Sequence, residues 1–362
     1  MIEILRKMFR HYFSDPQVIM LGFLLILGFV VVFALGEVLM PVFISIIIAY
    51  LLEGMVTGLE RIGVPRILAV IIVFSIFMAC LLFLILWLLP LLSRQIGQLL
   101  KDFPSMIART QTALMHLPQK YPDIISMTQI AQINEYLTTE LTRLGQYLLS
   151  VSLASVRGII TFMVYLILVP LMVFFFLKDR NAIIEWGRSF LPEERKLAGE
   201  VWLEVNLQIA NYVRGKMWEI LIVWGVTYVA FILLSVPFTM LLSLFVGLSV
   251  LIPYIGATVM FFPVGLIAFF EWGWGAQFAY TMIALAIIQA LDGNLLVPLL
   301  LSGVVNIHPI AIIVAVLLFG GLWGLWGLFF AIPLATLFHA VSKAWLQSSI
   351  RERHPNDASR EI

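Results

Sequence analysis

"MLLSLFVGLSVLIPYIGATVMFFPVGLIAFF", residues 240–270, runs for 31 residues without a charged side chain. A straight helix of that length would rise about 46 Å, well beyond a hydrocarbon core of about 30 Å. Pro253, Tyr254 and Gly256 stand at its centre, in "LIPYIGA" (251–257). There the proline removes a backbone donor and the glycine loosens the chain. The run therefore reads as two helical arms around a break, either a re-entrant hairpin or full crossings. A second run, Pro309 to about Val341, is also overlong and is interrupted by "FGGLWGLWG" (319–327) at Gly320, Gly321 and Gly324. Between the two lies "IIQALDGNLLVPLLL" (287–301), which sets Asp292 in an apolar stretch.

Composition fixes the class. Of 362 residues, 62% are hydrophobic and 12% charged, against about 45–50% and about 25% in soluble domains. The chain reads as an all-α polytopic integral membrane protein whose main partner is the lipid bilayer. A net charge of +1 gives no footprint for nucleic acid. Cys80, the one cysteine, leaves no disulfide framework or thiol metal site and reads as a packing residue. The sequence has no H-E-x-x-H, G-x-S-x-G or Walker A motif. No enzymatic activity, metal or cofactor is therefore expected.

About eight hydrophobic segments follow from the pattern. The first, Val18 to Leu35, is too long for a signal core and lacks a cleavage site, so it reads as an uncleaved helix. "GEVLMP" (36–41) predicts a tight turn into a second helix ending near Leu59, and a third covers Ile67 to Leu92. Segments such as "LLSRQIGQLLKDF" (91–103), at the start of the mixed region 93–156, pattern as amphipathic helices outside the bilayer. A fourth span, Gly158–Leu177, leads into a charged amphipathic segment at 178–216. The fifth is Trp218–Leu234, and the seventh Phe278–Leu301 follows the 240–270 run. These divide the chain into N-terminal spans (1–92), an extracytoplasmic helical region (93–156), a transport core (157–342) and a polar tail (343–362).

Lys and Arg near span ends set orientation. Arg6, Lys7 and Arg10, then Arg61 and Arg66, then the basic cluster of 178–216 all fall on one side if the first four spans are simple crossings. That side is expected to be the cytoplasm, with both termini there. Hairpins and full crossings for the two overlong runs give the same parity.

An intramembrane carboxylate costs roughly 2.5–3.5 kcal/mol on insertion scales and needs a partner, a proton or a watery cavity. Asp292 lies about 21 Å along its helix from Phe278, past the midplane. Gln289 is one turn earlier on the same face. Asn294 would face the other way in an unbroken helix, so Gly293 is expected to mark a distortion that gathers both. Broken helices are where transporters place substrates and coupling ions, and two breaks flank this acid. One reading is therefore a cation or proton site. The other is an interhelical lock from Asp292 to Arg214 or Lys216, with Glu219 only a local partner of Lys216. Glu53 reads as reaching the headgroups, and His308 as a turn residue.

Several stretches together resemble the autoinducer-2 exporter family, and within it the permeases of the PerM type. They are "LVPLMVFFFLKDR" (168–180), "NYVRGKMWE" (211–219), "LIPYIGA", "QALDGNLLVPLL" (289–300) and "FGGLWGLWGLFFAIPLATL" (319–337). "FSDP" (13–16) and "AYLLE" (49–53) fit the same subgroup. The resemblance implies a helical inner-membrane protein of bacteria, assembled as a homo-oligomer with a pentamer as the expected form. It also implies export of a small solute or exchange of H+ or Na+. The competing expectation is a non-transporting scaffold that presents residues 93–155 to envelope proteins.

Overall fold

A computed structural model describes residues 16–120, 139, 143, 155–189, 196–253, 255–301 and 308–353. Among them the regular elements are all helical: α1 (Pro16–Arg61), α2 (Arg66–Phe83), α3 (Leu89–Lys120), α4 (Ser155–Lys178), α5 (Arg180–Ser189), α6 (Lys196–Leu233), α7 (Thr239–Ser249), α8 (Ile255–Trp272), α9 (Ala276–Leu291), α10 (Val297–Leu301) and α11 (Pro309–Arg353). Single π-helical turns lie at Leu84–Leu88 and Asp292–Leu296. Six helices of the described residues are long and apolar enough to cross a membrane: Val38–Arg61, Arg66–Met106, Ile160–Lys178, Asn206–Leu233, Ile255–Trp272 and Ala276–Leu301. Shorter apolar helices, Thr239–Ser249, Ile310–Gly324 and Gly327–Phe338, supply further arms at the two breaks. The protein is polytopic and all-α, as its composition requires.

The boundaries differ from the sequence expectation in one consequential place. "GEVLMP" makes no turn, because α1 runs through Gly36 and Pro41 without interruption. In an apolar setting an ended helix exposes backbone groups at several kcal/mol each, whereas an interior proline frees few. Ser45 Oγ donates to the Pro41 carbonyl at 2.6 Å and to that of Val169 at 3.3 Å. A 46-residue helix rises about 69 Å. The parity that put Arg6, Lys7 and Arg10 beside Arg61 depended on the missing turn and no longer follows.

Other boundaries move for a simpler reason: amphipathic and apolar helices fuse where nothing breaks them. The third span passes through a π turn at Leu84–Leu88 into α3, which continues beyond Leu92 to Lys120. The amphipathic half of the 178–216 segment and the fifth span form one helix, α6. The tail is helical to Arg353. Residues 121–138, 140–142 and 144–154 of the expected extracytoplasmic region lie outside the described residues. Cys80, expected to pack, is exposed.

Two compact units divide the chain, each built from separate segments: 1–74, 168–215 and 301–362 in one, 75–167 and 216–300 in the other. In the first, Phe43 meets Phe330 edge-on at 5.8 Å, and Tyr50 Oη donates to Asn206 Oδ1 at 2.6 Å. This unit also corrects the reading of Glu53. The carboxylate is buried and held by Arg66 and Arg180 at 3.3 and 3.1 Å, while Arg66 also donates to the Leu177 carbonyl at 2.8 Å. An apolar cluster of Val223, Phe231, Leu242, Val246, Val264 and Leu285 forms the centre of the second unit.

Candidate functional site

Asp292 is placed by helical periodicity. Thr281, Leu285 and Ile288 are the buried positions of α9, and Asp292 continues their stripe at 7% exposure. A π turn begins at Asp292, whose carbonyl accepts from Val297 N–H. That extra residue per turn is the distortion expected near Gly293. It does not gather Asn294. Gly293 and Asn294 are both exposed, and Asn294 Nδ2 turns back to donate to the Ala290 carbonyl at 2.8 Å. The π turn shifts helix register without rotating Asn294 to the Asp292 side.

Opposite charge comes from α6. Lys216, Glu219, Val223 and Thr227 recur at helical spacing and are all buried. Lys216 Nζ donates to Glu219 Oε1 at 2.8 Å and to the Val250 carbonyl at 2.8 Å. The lock expected from Lys216 to Asp292 is therefore an ion pair to Glu219. A partner three residues away on the same helix is reached without an interhelical span. Asp292 is still within the field of Lys216, and Glu219 within that of Asp292. Arg214, the other expected partner, is exposed and lies over Gly54, its Nε 3.3 Å from where a Cβ would stand.

Among the described residues, Lys216, Glu219 and Asp292 are the buried charged side chains of the second unit. The cluster holds one ammonium, bonded to Glu219, against two carboxyl groups. Glu219 Oε2, Asp292 Oδ1, Thr227 Oγ1 and both polar atoms of Gln289 are buried with no hydrogen-bond partner among the described residues. Each such group costs about 1–3 kcal/mol. No three His, Cys, Asp or Glu side chains of the described residues group as a metal site. The donor set suits a proton or a monovalent cation better than a divalent one.

Both breaks are built on glycine. At the first, Leu251 and Ile252 N–H bond to the carbonyls of Leu248 and Ser249 at 3.1 and 3.0 Å, and Gly256 N–H bonds to that of Ile252 at 3.0 Å. Pro253 sits in this turn, its carbonyl taking Ile255 N–H at 2.7 Å. Tyr254 lies outside the described residues. A Cβ on Gly256 would fall 1.7 Å from the Ser249 carbonyl oxygen, so the arms meet backbone to backbone. At the second break Gly324 has φ 60° and ψ −135°, which L-residues rarely adopt. A Cβ on Gly320 would meet Leu328, and Gly321 is unconfined. Gly327, not singled out from the sequence, is the tightest there, at 1.7 Å from the Phe319 carbonyl oxygen. The Lys216 contact with Val250 was also missed, since no local pattern predicts a bond across 34 residues. His308 is the helix cap of α11, its Nδ1 accepting from Ile310 N–H at 3.3 Å.

Comparison with known proteins agrees with this architecture. The "AI-2E family transporter" description matches residues 20–347. The chain is 44% identical over 352 residues to "Putative permease PerM" of Escherichia coli (strain K12), covering 97% of this chain and all of that protein. It is 27% identical over 317 residues to "Putative transport protein YueF" of Bacillus subtilis (strain 168), covering 86% and 84% of the two. A match over nearly the whole length, on a helical chain with six membrane-length spans, leads to one conclusion: this protein belongs to the AI-2E family of transporters.

Proposed function

We propose that the protein is a secondary transporter of the bacterial inner membrane, driven by a proton or monovalent-cation gradient, with Asp292 and Glu219 as its coupling carboxylates. It exports a small solute or exchanges ions, and works as a homo-oligomer with a pentamer as the expected form. One observation carries the reading. Within a membrane-spanning unit, two buried carboxyl groups stand against one ammonium, and Glu219 Oε2 and Asp292 Oδ1 find no hydrogen-bond partner among the described residues. A purely structural ion pair would neutralise itself and satisfy those oxygens.

The reading is supported by the buried position of Asp292 on the α9 stripe and by the Glu219–Lys216 pair on α6. A cation entering there exchanges water for carboxylate oxygen. The test is flux in proteoliposomes under imposed H+ and Na+ gradients. Cation-dependent flux is expected. If no gradient drives flux, and the external region captures envelope proteins instead, the scaffold reading replaces this one.

A further inference from the structure

We propose that Lys216 is a cation-operated latch: its ammonium ties the Glu219 carboxylate to the Val250 carbonyl at the tip of the 239–272 hairpin, and a single positive charge binding at the coupling carboxylates releases it. The proposal rests on the coupling reading above and adds how occupancy of the site reaches the fold.

The geometry is specific. Val250 is the C-terminal cap residue of α7, directly before the turn at Leu251–Pro253. Helix C-termini leave carbonyls without intrahelical partners and carry partial negative charge, so a cation there is favoured. Lys216 fills that role with one N–H at 2.8 Å, and spends a second on Glu219 Oε1 at 2.8 Å. The ammonium therefore has two anchors, one on the hairpin and one in the ion site.

The rest of the hairpin arm is positioned to respond. Gly247 packs α7 against α6 so closely that a Cβ would lie 2.7 Å from Trp224 Cβ. Val250, Val223 and Ile288 share one apolar cluster, so tip, latch helix and Asp292 helix are mechanically continuous. In that setting Lys216 is held by its ion pair with Glu219. A proton or sodium ion arriving at Glu219 neutralises that counter-charge. The ammonium is then a buried cation without its partner, a costly state, so it withdraws toward water and leaves Val250 as well. The tip loses its cap and opens.

The two sources of the positive charge are separable. A reporter cysteine replaces Ile252, half-buried in the turn, on a Cys80→Ala background, and maleimide labelling is followed in proteoliposomes. Sodium is titrated against choline at fixed pH, and pH is varied in choline alone. Labelling should accelerate at least fivefold with one of the two cations. In Lys216→Met combined with Glu219→Gln, which removes the pair together and leaves no unpaired ammonium, labelling should be fast and cation-independent. Lys216→Arg, which keeps the charge, should retain the response. The latch is overturned by a wild-type rate insensitive to both sodium and pH, or by an unchanged cation response in the double variant. Flux measured in the same vesicles separates the two levels. Gradient-driven flux with a cation-insensitive tip defeats the latch alone, whereas a responsive tip without flux defeats the transport reading alone.

Discussion

Single residues carry the account at two places, and they differ in kind. Glu53 is a buried carboxylate with partners to spare: Arg66, Arg180 and, through Arg66, the Leu177 carbonyl. Its role is mechanical. Glu53→Gln should destabilise the protein by about 1–3 kcal/mol, since Arg66 and Arg180 are 25% and 40% exposed and recover part of their solvation. Thermal unfolding in detergent should show this, with transport unaltered in its cation dependence. Asp292 is the opposite case, a buried carboxylate short of partners. Its presence in an apolar run was legible in the sequence because a charge there is rare. Its surroundings were not, because the Lys216 partner choice depended on a three-residue spacing competing with an interhelical reach.

At the scale of elements, the breaks were visible as Pro and Gly in overlong runs, and the structure has a turn at each. What the sequence could not rank was which glycine matters. Gly256 and Gly327 are needed because two backbones meet there, and Gly324 because of its backbone angles. Gly293 and Gly321 have open space where a Cβ would stand. Gly256→Ala and Gly327→Ala should each cost about 3 kcal/mol or more, the upper end for overpacking, because carbonyls cannot rotate away as side chains can. Gly293→Ala should be neutral or stabilising by up to about 1 kcal/mol, as expected for glycine in a helix. Melting temperatures of the three variants, side by side, decide the matter. The turn expected at Gly36–Pro41 failed by the same logic: no close approach or special angle there requires a break, so the helix continues.

For the whole molecule, the proposed orientation rests on the basic residues of the 61–66 link and of 178–216, which are expected on the cytoplasmic side. A cysteine at Gln119 on a Cys80-free background should be labelled from outside, and one at Glu193 protected in intact cells; reversed accessibility would invert the protein. Deleting residues 104–140 should leave it in the membrane with an altered oligomer or partner set by native mass spectrometry, and an unchanged assembly would remove that role. All-α class and membrane embedding were legible from composition, while the interleaved make-up of the two units was not, because contacts across the chain leave no local pattern. The central claim, that Asp292 couples a cation gradient to transport, is tested most directly by one paired measurement on Asp292→Asn. Gradient-driven flux and melting temperature are recorded on the same preparation. The account predicts flux that falls steeply and no longer follows the H+ or Na+ gradient, with a melting temperature within a few degrees of wild type. Undiminished, gradient-dependent flux accompanied by a large loss of stability would contradict it.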